Sequence, residues 1–280
     1  MIITRVKEMQ TLADRAREEG TRIGLVPTMG YLHEGHTSLI QIARKKADVV
    51  VTSIYVNPTQ FGPKEDLDTY PRDLERDKKL AYENGSDILF VPDDDEMYGG
   101  TPLTVVNVKQ LTSGLCGASR PWHFQGVTTV VAKLFNIVKP HIAVFGQKDA
   151  QQALVIKKMV IDLNFDVFID VAPIVREHDG LAVSSRNKYL SDEERKDAVI
   201  LNRALEYAEQ RITAGERNSR ILIEKMTGLI GKVKSARIDY VDIVDAVNLQ
   251  KIDVAQGNIL LALAVFIGRT RLIDNKLINI

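Results

Sequence analysis

The chain has 280 residues, of which 45% are hydrophobic and 26% are charged, as is usual for a soluble globular protein with one large domain or two of ordinary size. Lysine and arginine together number 37, as do aspartate and glutamate, so the formal net charge is zero. This balance argues against a general nucleic-acid-binding or anionic-membrane-binding surface, although it is compatible with a local basic site. The single cysteine, Cys116, excludes an intramolecular disulfide and a zinc site built from thiolates alone.

The sequence also lacks the patterns of secretion and membrane insertion. Residues 1–10 alternate apolar and charged side chains and have no apolar segment typical of a signal peptide. The longest apolar run, residues 259–267, is far shorter than the roughly 20 residues that span a bilayer. We therefore expect a cytoplasmic protein without a membrane partner.

The first part of the chain alternates short apolar runs rich in β-branched residues with longer amphipathic stretches. Strand–helix–strand repetition of this kind predicts a doubly wound, mostly parallel α/β sheet with helices on both faces. Ligands bind at the carboxyl ends of the strands in such sheets. The predicted strands are residues 22–26, 49–56, 87–91, 103–108, 142–145 and 167–171, and the predicted helices are residues 34–46, 68–84, 127–138 and 150–163.

The pattern changes after about Pro173. A polar stretch leads into two predicted helices, and Ser191 with Glu194 forms a plausible capping box at the start of the first. Strand-like runs follow, which predicts a smaller α+β domain with an antiparallel sheet. The predicted domains are therefore residues 1–174 and 175–280. The predicted helices of the second domain are residues 191–211 and 219–233, and its predicted strands are residues 237–244, 258–266 and 270–274.

The sharpest motif, PTMGYLHEGH at residues 27–36, lies where a predicted strand turns into a helix. A helix N-terminus offers unpaired N–H groups and a partial positive charge to phosphate. His33 and His36 are three residues apart and can point at one phosphate, while Gly35 permits close approach of a nucleotide. Imidazoles in this position can donate to phosphate oxygens as charge moves onto a departing pyrophosphate.

Two other interpretations of these histidines remain open at this point. A metal-binding pair is one, although no third ligand cluster and no HExxH are present. The other is an incidental pair on a solvated turn. The sequence contains neither GxxxxGKS/T nor GxGxxG, so it carries neither a Walker-type motif nor a dinucleotide-binding fingerprint.

Two further segments are less specific. NPTQFGP at residues 57–63 follows a predicted strand, and Gln60 suits a substrate with hydroxyl and carboxylate groups; an ordinary surface loop explains the segment equally well by itself. RPWHFQGV at residues 120–127 offers Arg120 and His123 as anion contacts. The alternative is that His123 is structural and stacks with Trp122 and Phe124.

The last two segments add a cation and hydroxyls. In FGQKDAQQ, residues 145–152, Lys148 is a point charge for phosphate or carboxylate, and Gln152 lies one helical turn beyond it. A helix start capped by Asp149 is compatible with both roles. In VREHDGLAVSSRN, residues 175–187, two hydroxyls and a guanidinium are suited to a phosphate clamp, and a polar interdomain linker is the alternative. No role is assigned to His178. The clamp residues are Ser184, Ser185 and Arg186.

Together, PTMGYLHEGH, NPTQFG, RPWHFQGV, FGQKDAQQ and VREHDGLAVSSRN resemble the motifs of the pantothenate synthetase family in order and spacing, from about Ile23 to Asn187. The first looks like that family's version of the histidine motif of class I synthetases and nucleotidyltransferases. The resemblance implies a Rossmann-like first domain, a smaller C-terminal lid domain and a homodimer. It also implies an ATP-dependent ligase that joins pantoate to β-alanine through a pantoyl-adenylate.

The resemblance implies residue roles as well. His36 is the expected proton donor, His33 a phosphate contact and Lys148 a third catalytic group, and Mg²⁺ is expected with ATP although no protein ligand can be named. Gln60 and Gln152 are expected to hold pantoate, and Gln60 also to meet β-alanine. Gln147 stands where many relatives have glutamate, so it is given no acid–base role. The expected ATP-binding residues are Met29, Gly30, Tyr31, Leu32, His33, Glu34, Gly35, His36, Gly146, Gln147, Lys148, Asp149, Val175, Val183, Ser184, Ser185 and Arg186.

Two other functions remain as alternatives. One is a nucleotidyltransferase that moves AMP onto a phosphate-bearing acceptor, against which the neutral Gln60 and Gln152 argue. The other is a non-catalytic nucleotide sensor on the same fold. A tRNA-charging role fits poorly, because no basic anticodon-binding region is visible.

Overall fold

The structure is a computed structural model that describes residues 1–63 and 65–280. It forms two compact units, the first comprising residues 1–109, 120–147 and 152–173, and the second residues 110–119, 148–151 and 174–280. The predicted division into domains after residue 174 stays a prediction. The second unit thus includes two short segments, residues 110–119 and 148–151, that precede residue 174 in the chain.

Both units are built from strands and helices of moderate length. Short 3₁₀ helices cover Pro58–Gln60, Gln147–Asp149 and Ser185–Tyr189. The strands are β1 (Ile2–Ile3), β2 (Ile23–Thr28), β3 (Val49–Ile54), β4 (Ile88–Phe90), β5 (Ile142–Gly146), β6 (Phe168–Ala172), β7 (Ala236–Asp245), β8 (Asn258–Ile267) and β9 (Thr270–Asn279). The helices are α1 (Val6–Glu18), α2 (Glu34–Arg44), α3 (Leu74–Glu83), α4 (Asp94–Tyr98), α5 (Cys116–Ser119), α6 (His123–Val138), α7 (Ala150–Asp162), α8 (Asp192–Ala198), α9 (Ile200–Thr213) and α10 (Ser219–Ile230).

The first unit is built on a six-stranded parallel sheet in the order β1-β4-β3-β2-β5-β6, which confirms the predicted fold class. The strand order reverses between β2 and β5, so the topological switch point lies there. β2 pairs with β3 over its whole length but with β5 only at Gly24 and Leu25. Beyond these residues, the carboxyl ends of β2 and β5 are no longer paired with each other.

The lack of pairing beyond Leu25 also explains why β2 is longer than predicted. The sequence suggested that the strand ends before Pro27, but β2 continues through Pro27 to Thr28. Proline has no N–H and normally removes a hydrogen bond from a central strand. Since β5 no longer pairs with β2 at this point, Pro27 removes no bond to β5.

Helix α2 packs its apolar face against the sheet. Leu39, Ile40 and Ala43 are buried at helical spacing and form one core cluster with Val26 of β2 and Val144 of β5. This packing fixes the start of α2 close to the carboxyl end of β2, because only five residues join the two elements.

The second unit contains the antiparallel sheet β7-β8-β9, as predicted. Helices α9 and α10 cover it with buried residues such as Leu205 and Met226, which share a core with Leu261 and Leu263 of β8. The capping box at the start of α8 is confirmed: the N–H of Ser191 donates to the Glu194 carboxylate, and the N–H of Glu194 donates to the Ser191 hydroxyl.

Other predicted elements also differ from the structure. The helix predicted from residue 68 begins only at Leu74, because Pro71 disfavours helix before it and Asp73 caps the N–H of Arg76 at 3.1 Å. The helix predicted at residues 191–211 is split at Val199 into α8 and α9. Residues 103–108 form no strand. Helices α1, α4 and α5 were not predicted.

Residues 103–108 are instead pinned by two threonines of α6. The N–H of Val106 donates to the Thr129 hydroxyl at 3.0 Å, and the Thr128 hydroxyl donates to the Val106 carbonyl at 2.6 Å. Side-chain hydroxyls thus bond backbone groups that a sheet neighbour would otherwise bond. Within residues 1–63 and 65–280, no helix is both long enough and apolar enough to cross a bilayer.

Candidate active site

The segment from Met29 to His36, here called the histidine loop, connects β2 to α2 at the switch point. The chain reverses through two consecutive residues with positive φ, Gly30 at 81° and Tyr31 at 49°. Glycine is suited to this conformation, whereas Tyr31 must be held in it by other contacts. The loop is therefore a tightly specified turn.

Each backbone N–H from Gly30 to His33 has an identified acceptor. That of Gly30 donates to the Thr28 hydroxyl at 3.2 Å. Those of Tyr31 and Leu32 donate to the two carboxylate oxygens of Asp77, each at 2.6 Å. The N–H of His33 donates to Nδ1 of His36 at 3.3 Å. Side chains of the protein thus fix the loop before any ligand binds.

The two histidines of the motif lie together at the start of α2. Their rings are stacked, with centroids 4.0 Å apart and planes inclined by 30°. Because Nδ1 of His36 accepts the N–H of His33, the proton of neutral His36 is placed on Nε2. Nε2 is then the nitrogen suited to donate to an anion.

The structure adds packing information on two residues in this loop. A Cβ atom on Gly35 would lie 2.9 Å from Cε1 of His33, so the His33 ring occupies the space beside this glycine. The predicted approach of a nucleotide at Gly35 stays a prediction. The side chain of Leu32 is fully buried in the core, and its N–H is bonded to Asp77. Glu34 is exposed, and Met29 and Tyr31 are partly exposed.

Gln60 lies at the end of the 3₁₀ helix that follows β3, and it is buried. Its amide oxygen accepts from Nδ2 of Asn57 at 3.1 Å, and its amide nitrogen lies 3.1 Å from the sulfur of Met29. The structure therefore brings together Gln60 and the histidine loop, which sequence reasoning predicted as separate parts of the site. The surface-loop interpretation is wrong for Gln60.

Asn57 organises this turn and was not predicted as a site residue. It is almost fully buried, its Nδ2 also donates to the Gly126 carbonyl at 3.1 Å, and its Oδ1 accepts from the Tyr98 hydroxyl at 2.6 Å. It also caps the 3₁₀ helix through the N–H of Thr59. A sequence signal existed, because asparagine before proline is typical of a turn start.

The side chains of Arg120 and His123 both contact the backbone carbonyl of Gln60. Arg120 donates to both carboxylate oxygens of Glu65 and, at 3.2 Å, to the backbone carbonyl of Gln60. Nδ1 of His123 lies 2.9 Å from the same carbonyl, and its ring meets Phe124 edge to face at 5.0 Å. The structural alternative for His123 is supported in part, because its ring contacts Phe124, but edge to face and not stacked, and Trp122 is half exposed.

The contact with Arg120 also affects the pKa of Glu65. Burial, the largest single effect, raises the pKa of Glu65, but the hydrogen bond and positive charge of Arg120 outweigh it and leave the pKa below its ordinary value. A carboxyl whose pKa is lowered on folding stabilises the fold above its unfolded pKa, and this contribution is lost as pH falls through the folded pKa. The pair therefore stabilises the protein at neutral pH and less in acid.

We expect Arg120→Gln to lower the free energy of unfolding at pH 7 by about 1.5–3 kcal/mol, the range for hydrogen bonds to charged groups. The difference from the parent should shrink as pH falls below the ordinary pKa of glutamate and through the lowered pKa of Glu65. Urea unfolding at pH 7 and at a series of acidic pH values measures the difference. The matched control is Lys158→Gln, which breaks an exposed pair with Asp162 and should cost only about 0.3–0.5 kcal/mol. A pH-independent loss in Arg120→Gln would contradict the assignment.

The carboxyl end of β5 lies beside that of β2 in the sheet order. Gly146 ends β5, and a Cβ atom on it would meet no described heavy atom within 4 Å. Packing among the described residues therefore does not require a glycine at position 146. Gln147 is partly exposed at the start of the next 3₁₀ helix, and Gln152 is partly exposed in α7.

The remaining predicted residues belong to the second unit. The carbonyl of Lys148 accepts from Nδ2 of Asn275 at 2.9 Å. Val175 and Val183 face each other across a short turn, and the N–H of Val183 donates to the Val175 carbonyl at 3.0 Å. The Ser184 hydroxyl accepts from the N–H of Arg186 at 3.3 Å and starts the 3₁₀ helix. Ser185 is buried, Arg186 is partly exposed, and Asp149 is exposed.

Contacts between arginines and carboxylates hold this part of the chain and were not predicted. Arg176 forms a two-point contact with Asp274, at 2.7 and 2.9 Å, and also donates to the Gly180 carbonyl. Burial raises the pKa of Asp274, although Arg176 opposes the shift.

Arg195 bonds both Glu177 and Asp179, which lowers the pKa of Asp179. The turn before Ser184 is thus an organised structure, in contrast to the linker alternative.

The histidine pair does not belong to a protein-built metal site in the part of the chain that the structure describes. There, no group of three or more His, Cys, Asp or Glu side chains is arranged to hold a metal ion. The metal-pair interpretation of His33 and His36 therefore has no structural support. A solvated, incidental turn is also excluded by the four N–H bonds that specify the loop.

Comparisons with known proteins agree on one family. A family model described as pantoate-beta-alanine ligase matches residues 1–277. The pantothenate synthetase of Thermoanaerobacter sp. is 55% identical over 278 residues, covering 99% of this chain and 98% of the relative. That of Geobacter sulfurreducens is 54% identical over 274 residues, covering 98% and 97%.

Solved structures give the same result. The crystal structure of pantothenate synthetase from Thermus thermophilus matches with a TM-score of 0.93 at 44% identity and covers 98% of each chain. The pantoate-beta-alanine ligase of Francisella tularensis, complexed with beta-gamma ATP and beta-alanine, matches with a TM-score of 0.80 at 35% identity and covers 99% of this chain and 97% of that one.

Proposed function

The chain belongs to the pantoate–β-alanine ligase family, and from this premise we propose that it joins pantoate to β-alanine in two steps driven by ATP. The observation that carries the proposal is the histidine loop, held by the protein's own side chains at the carboxyl end of β2 beside the switch point. The Francisella tularensis relative, crystallised with an ATP species and β-alanine, supports both as substrates.

In the first step, a carboxylate oxygen of pantoate attacks the α-phosphorus of ATP. A new oxygen–phosphorus bond forms, and the bond from the α-phosphorus to the bridging oxygen of pyrophosphate breaks. The products are pantoyl-adenylate and pyrophosphate, and the negative charge moves onto the pyrophosphate. Donors aimed at that charge lower the barrier, and one such donor is typically worth about 3–4 kcal/mol.

His36 is the donor that the geometry supports best. Its Nδ1 is occupied by the N–H of His33, so Nε2 carries the proton and can donate to a phosphate oxygen. The stacked ring of His33 is proposed as a second phosphate contact. The family resemblance supports further ATP contacts at Gly146, Gln147, Lys148, Asp149, Val175, Val183, Ser184, Ser185 and Arg186.

In the second step, the neutral amine of β-alanine attacks the acyl carbon of the adenylate. A carbon–nitrogen bond forms, the bond from the acyl carbon to the AMP oxygen breaks, and the nitrogen loses a proton. A held amine reacts at high effective molarity, so positioning supplies much of the rate. No covalent enzyme intermediate is needed.

Gln60 and Gln152 are proposed to hold pantoate, and Gln60 also to meet β-alanine. Gln60 is supported by its place next to Met29 of the histidine loop. A neutral amide can donate to a carboxylate and accept from a hydroxyl, which are the groups that pantoate presents. Substrate must then compete with Met29 and Asn57 for the Gln60 amide.

We also propose that the protein uses Mg²⁺ with ATP, forms a homodimer and is located in the cytoplasm. The described residues provide no three-ligand carboxylate or histidine cluster, so they do not form a protein cage for Mg²⁺, and no step above is assigned to the metal. We propose that Mg²⁺ binds together with the triphosphate, as is usual for this ion.

Product analysis tests the function. The protein is incubated with ATP, Mg²⁺, pantoate and β-alanine, and each component is then omitted in turn. The proposal requires one pantothenate and one AMP per ATP consumed, with both organic substrates needed for amide formation. A product containing AMP joined to a phosphate-bearing acceptor would indicate a nucleotidyltransferase. ATP binding without any turnover would indicate a nucleotide sensor.

We further expect labelled pyrophosphate to exchange into ATP when pantoate is present and β-alanine is absent. Exchange requires a reversible first step that leaves pantoyl-adenylate on the enzyme. Isotope counting of purified ATP measures it, and omission of pantoate is the control. Exchange that depends on β-alanine would contradict a separate adenylate intermediate.

A further inference from the structure

Asp77 is a carboxylate placed in the protein core. It lies in the middle of α3, is 1% exposed, and shares the buried face of that helix with Ala81. An ionised group in such a place is unfavourable unless it is bonded to donors or to a cation. The free-energy cost of burying this carboxylate therefore depends on the groups that surround it.

The groups that surround Asp77 belong to the histidine loop. One carboxylate oxygen accepts the N–H of Tyr31 and the other that of Leu32, both at 2.6 Å, although 45 or more residues separate them in sequence. Arg76 places a guanidinium nitrogen 3.8 Å from Oδ1 and its carbon 4.9 Å from the centre of the Tyr31 ring. Successive N–H groups of a positive-φ turn form a concave anion site, and here Asp77 fills it.

This contact fixes the peptide groups immediately before the stacked histidines. Tyr31 is held at positive φ, an unfavourable conformation for its residue type that needs compensating bonds. Leu32 is anchored on its other side by its fully buried side chain. The next N–H, that of His33, bonds Nδ1 of His36. A rotation of the Tyr31–Leu32 peptides would therefore turn both imidazoles.

The carboxylate of Asp77 lies close to the backbone of Gly30. A Cβ atom on Gly30 would lie 3.0 Å from Oδ2 of Asp77 and 3.0 Å from a methyl group of Ile54. The loop and α3 thus come together without space for a side chain between them. Burial raises the pKa of Asp77, against the opposing effects of the two N–H bonds and Arg76.

We infer that Asp77 is a positioning residue for adenylation: its carboxylate binds the Tyr31 and Leu32 N–H groups and thereby aims the rings of His33 and His36. The inference rests on the proposed function, since it acts through the histidines. It assigns to Asp77 no contact with a substrate. A role in stability alone is the alternative that the test must separate.

The test compares Asp77→Asn with Asp73→Ala. Asn is nearly isosteric but can accept only one of the two N–H groups and presents its own N–H₂ to the other. We expect pantoate-dependent pyrophosphate exchange to fall about 10- to 100-fold, the range for a misplaced catalytic group, while the KM for pantoate changes less than about twofold. Asp73→Ala removes the cap of the same helix, and it should lower Tm without reducing exchange.

A double-mutant cycle with His36→Ala decides between positioning and stability. If Asp77 acts through the two imidazoles, the loss caused by Asp77→Asn should be clearly smaller when His36 is already absent, because only the part that acts through His33 then remains. An undiminished loss in that background would overturn the inference, as would equal kinetic losses in Asp77→Asn and Asp73→Ala. Absence of exchange in the parent protein would count against the proposed function, whereas full exchange in Asp77→Asn would count against this inference alone.

If Asp77→Asn does not fold, NMR of the parent protein tests the contact on which the inference depends. A carboxylate shared by two amides should shift the proton resonances of Tyr31 and Leu32 together as it titrates, at a pH above the ordinary range of aspartate. The Gly30 amide, which bonds the Thr28 hydroxyl, is the internal control. Two amide resonances that do not titrate together would overturn the inference.

Discussion

His36→Ala is expected to lower the rate of pantoyl-adenylate formation by about 10²–10³-fold, equivalent to roughly 3–4 kcal/mol, because it removes a donor fixed before the reaction begins. Nε2 of His36 is set as the donor nitrogen by the bond from the His33 N–H to Nδ1. Pantoate affinity should change much less, since the proposed pantoate contacts are Gln60 and Gln152. Rapid-quench measurement of adenylate formation, together with pantoate titration, separates the two quantities.

The matched control for this variant is His178→Ala. His178 is exposed, and the same side-chain change there should leave both rate and affinity within about twofold of the parent, as is usual for surface positions. Parent-like adenylation by His36→Ala would refute its proposed role. An equal loss in His178→Ala would show that the assay does not report on the histidine loop.

Gly126→Ala is expected to have a comparably large effect through packing. A Cβ atom there would lie 2.5 Å from the Thr59 carbonyl oxygen and 2.6 Å from the Gln60 nitrogen, both backbone atoms of the turn that holds Gln60. Backbone cannot move aside as a flexible side chain can, so the turn or α6 must shift. Overpacking of this kind costs about 1–3 kcal/mol of stability.

The shift should also impair catalysis, because a displacement of about 1 Å at a substrate-positioning group can lower activity by about 10²-fold. Thermal unfolding and kcat/KM for pantoate measure the two effects. The control is Gly228→Ala on the exposed face of α10, where an added Cβ meets no described atom within 4 Å. That variant should gain about 0.5–1 kcal/mol from helix propensity. Unchanged pantoate kinetics in Gly126→Ala would contradict the role of this contact.

The sheet of the first unit could be predicted from sequence because its strands are buried on both faces. Short runs rich in β-branched residues, such as residues 49–54, predict buried parallel strands, and the motifs follow those strands in order. The predicted strand at residues 103–108 failed for a specific reason. Its backbone groups are bonded by Thr128 and Thr129 of α6, which no local pattern of that segment reveals.

The candidate site could be predicted only in part. Local motifs identified His33, His36 and Gln60, because turn and helix-start signals are encoded within a few residues. Asp77 and Gly126 were missed, since their partners lie far away in the chain: the bond from Leu32 to Asp77 spans 45 positions, and that from Asn57 to Gly126 spans 69. Their functional contacts are with backbone groups, which carry no sequence signature of the partner.

A crystal structure of the protein with ATP and pantoate is the most direct test of the histidine loop as the phosphate site. We expect a phosphate oxygen of ATP within about 3.2 Å of Nε2 of His36, with Asp77 still bonded to the N–H groups of Tyr31 and Leu32. A triphosphate bound well away from both imidazole rings would contradict it.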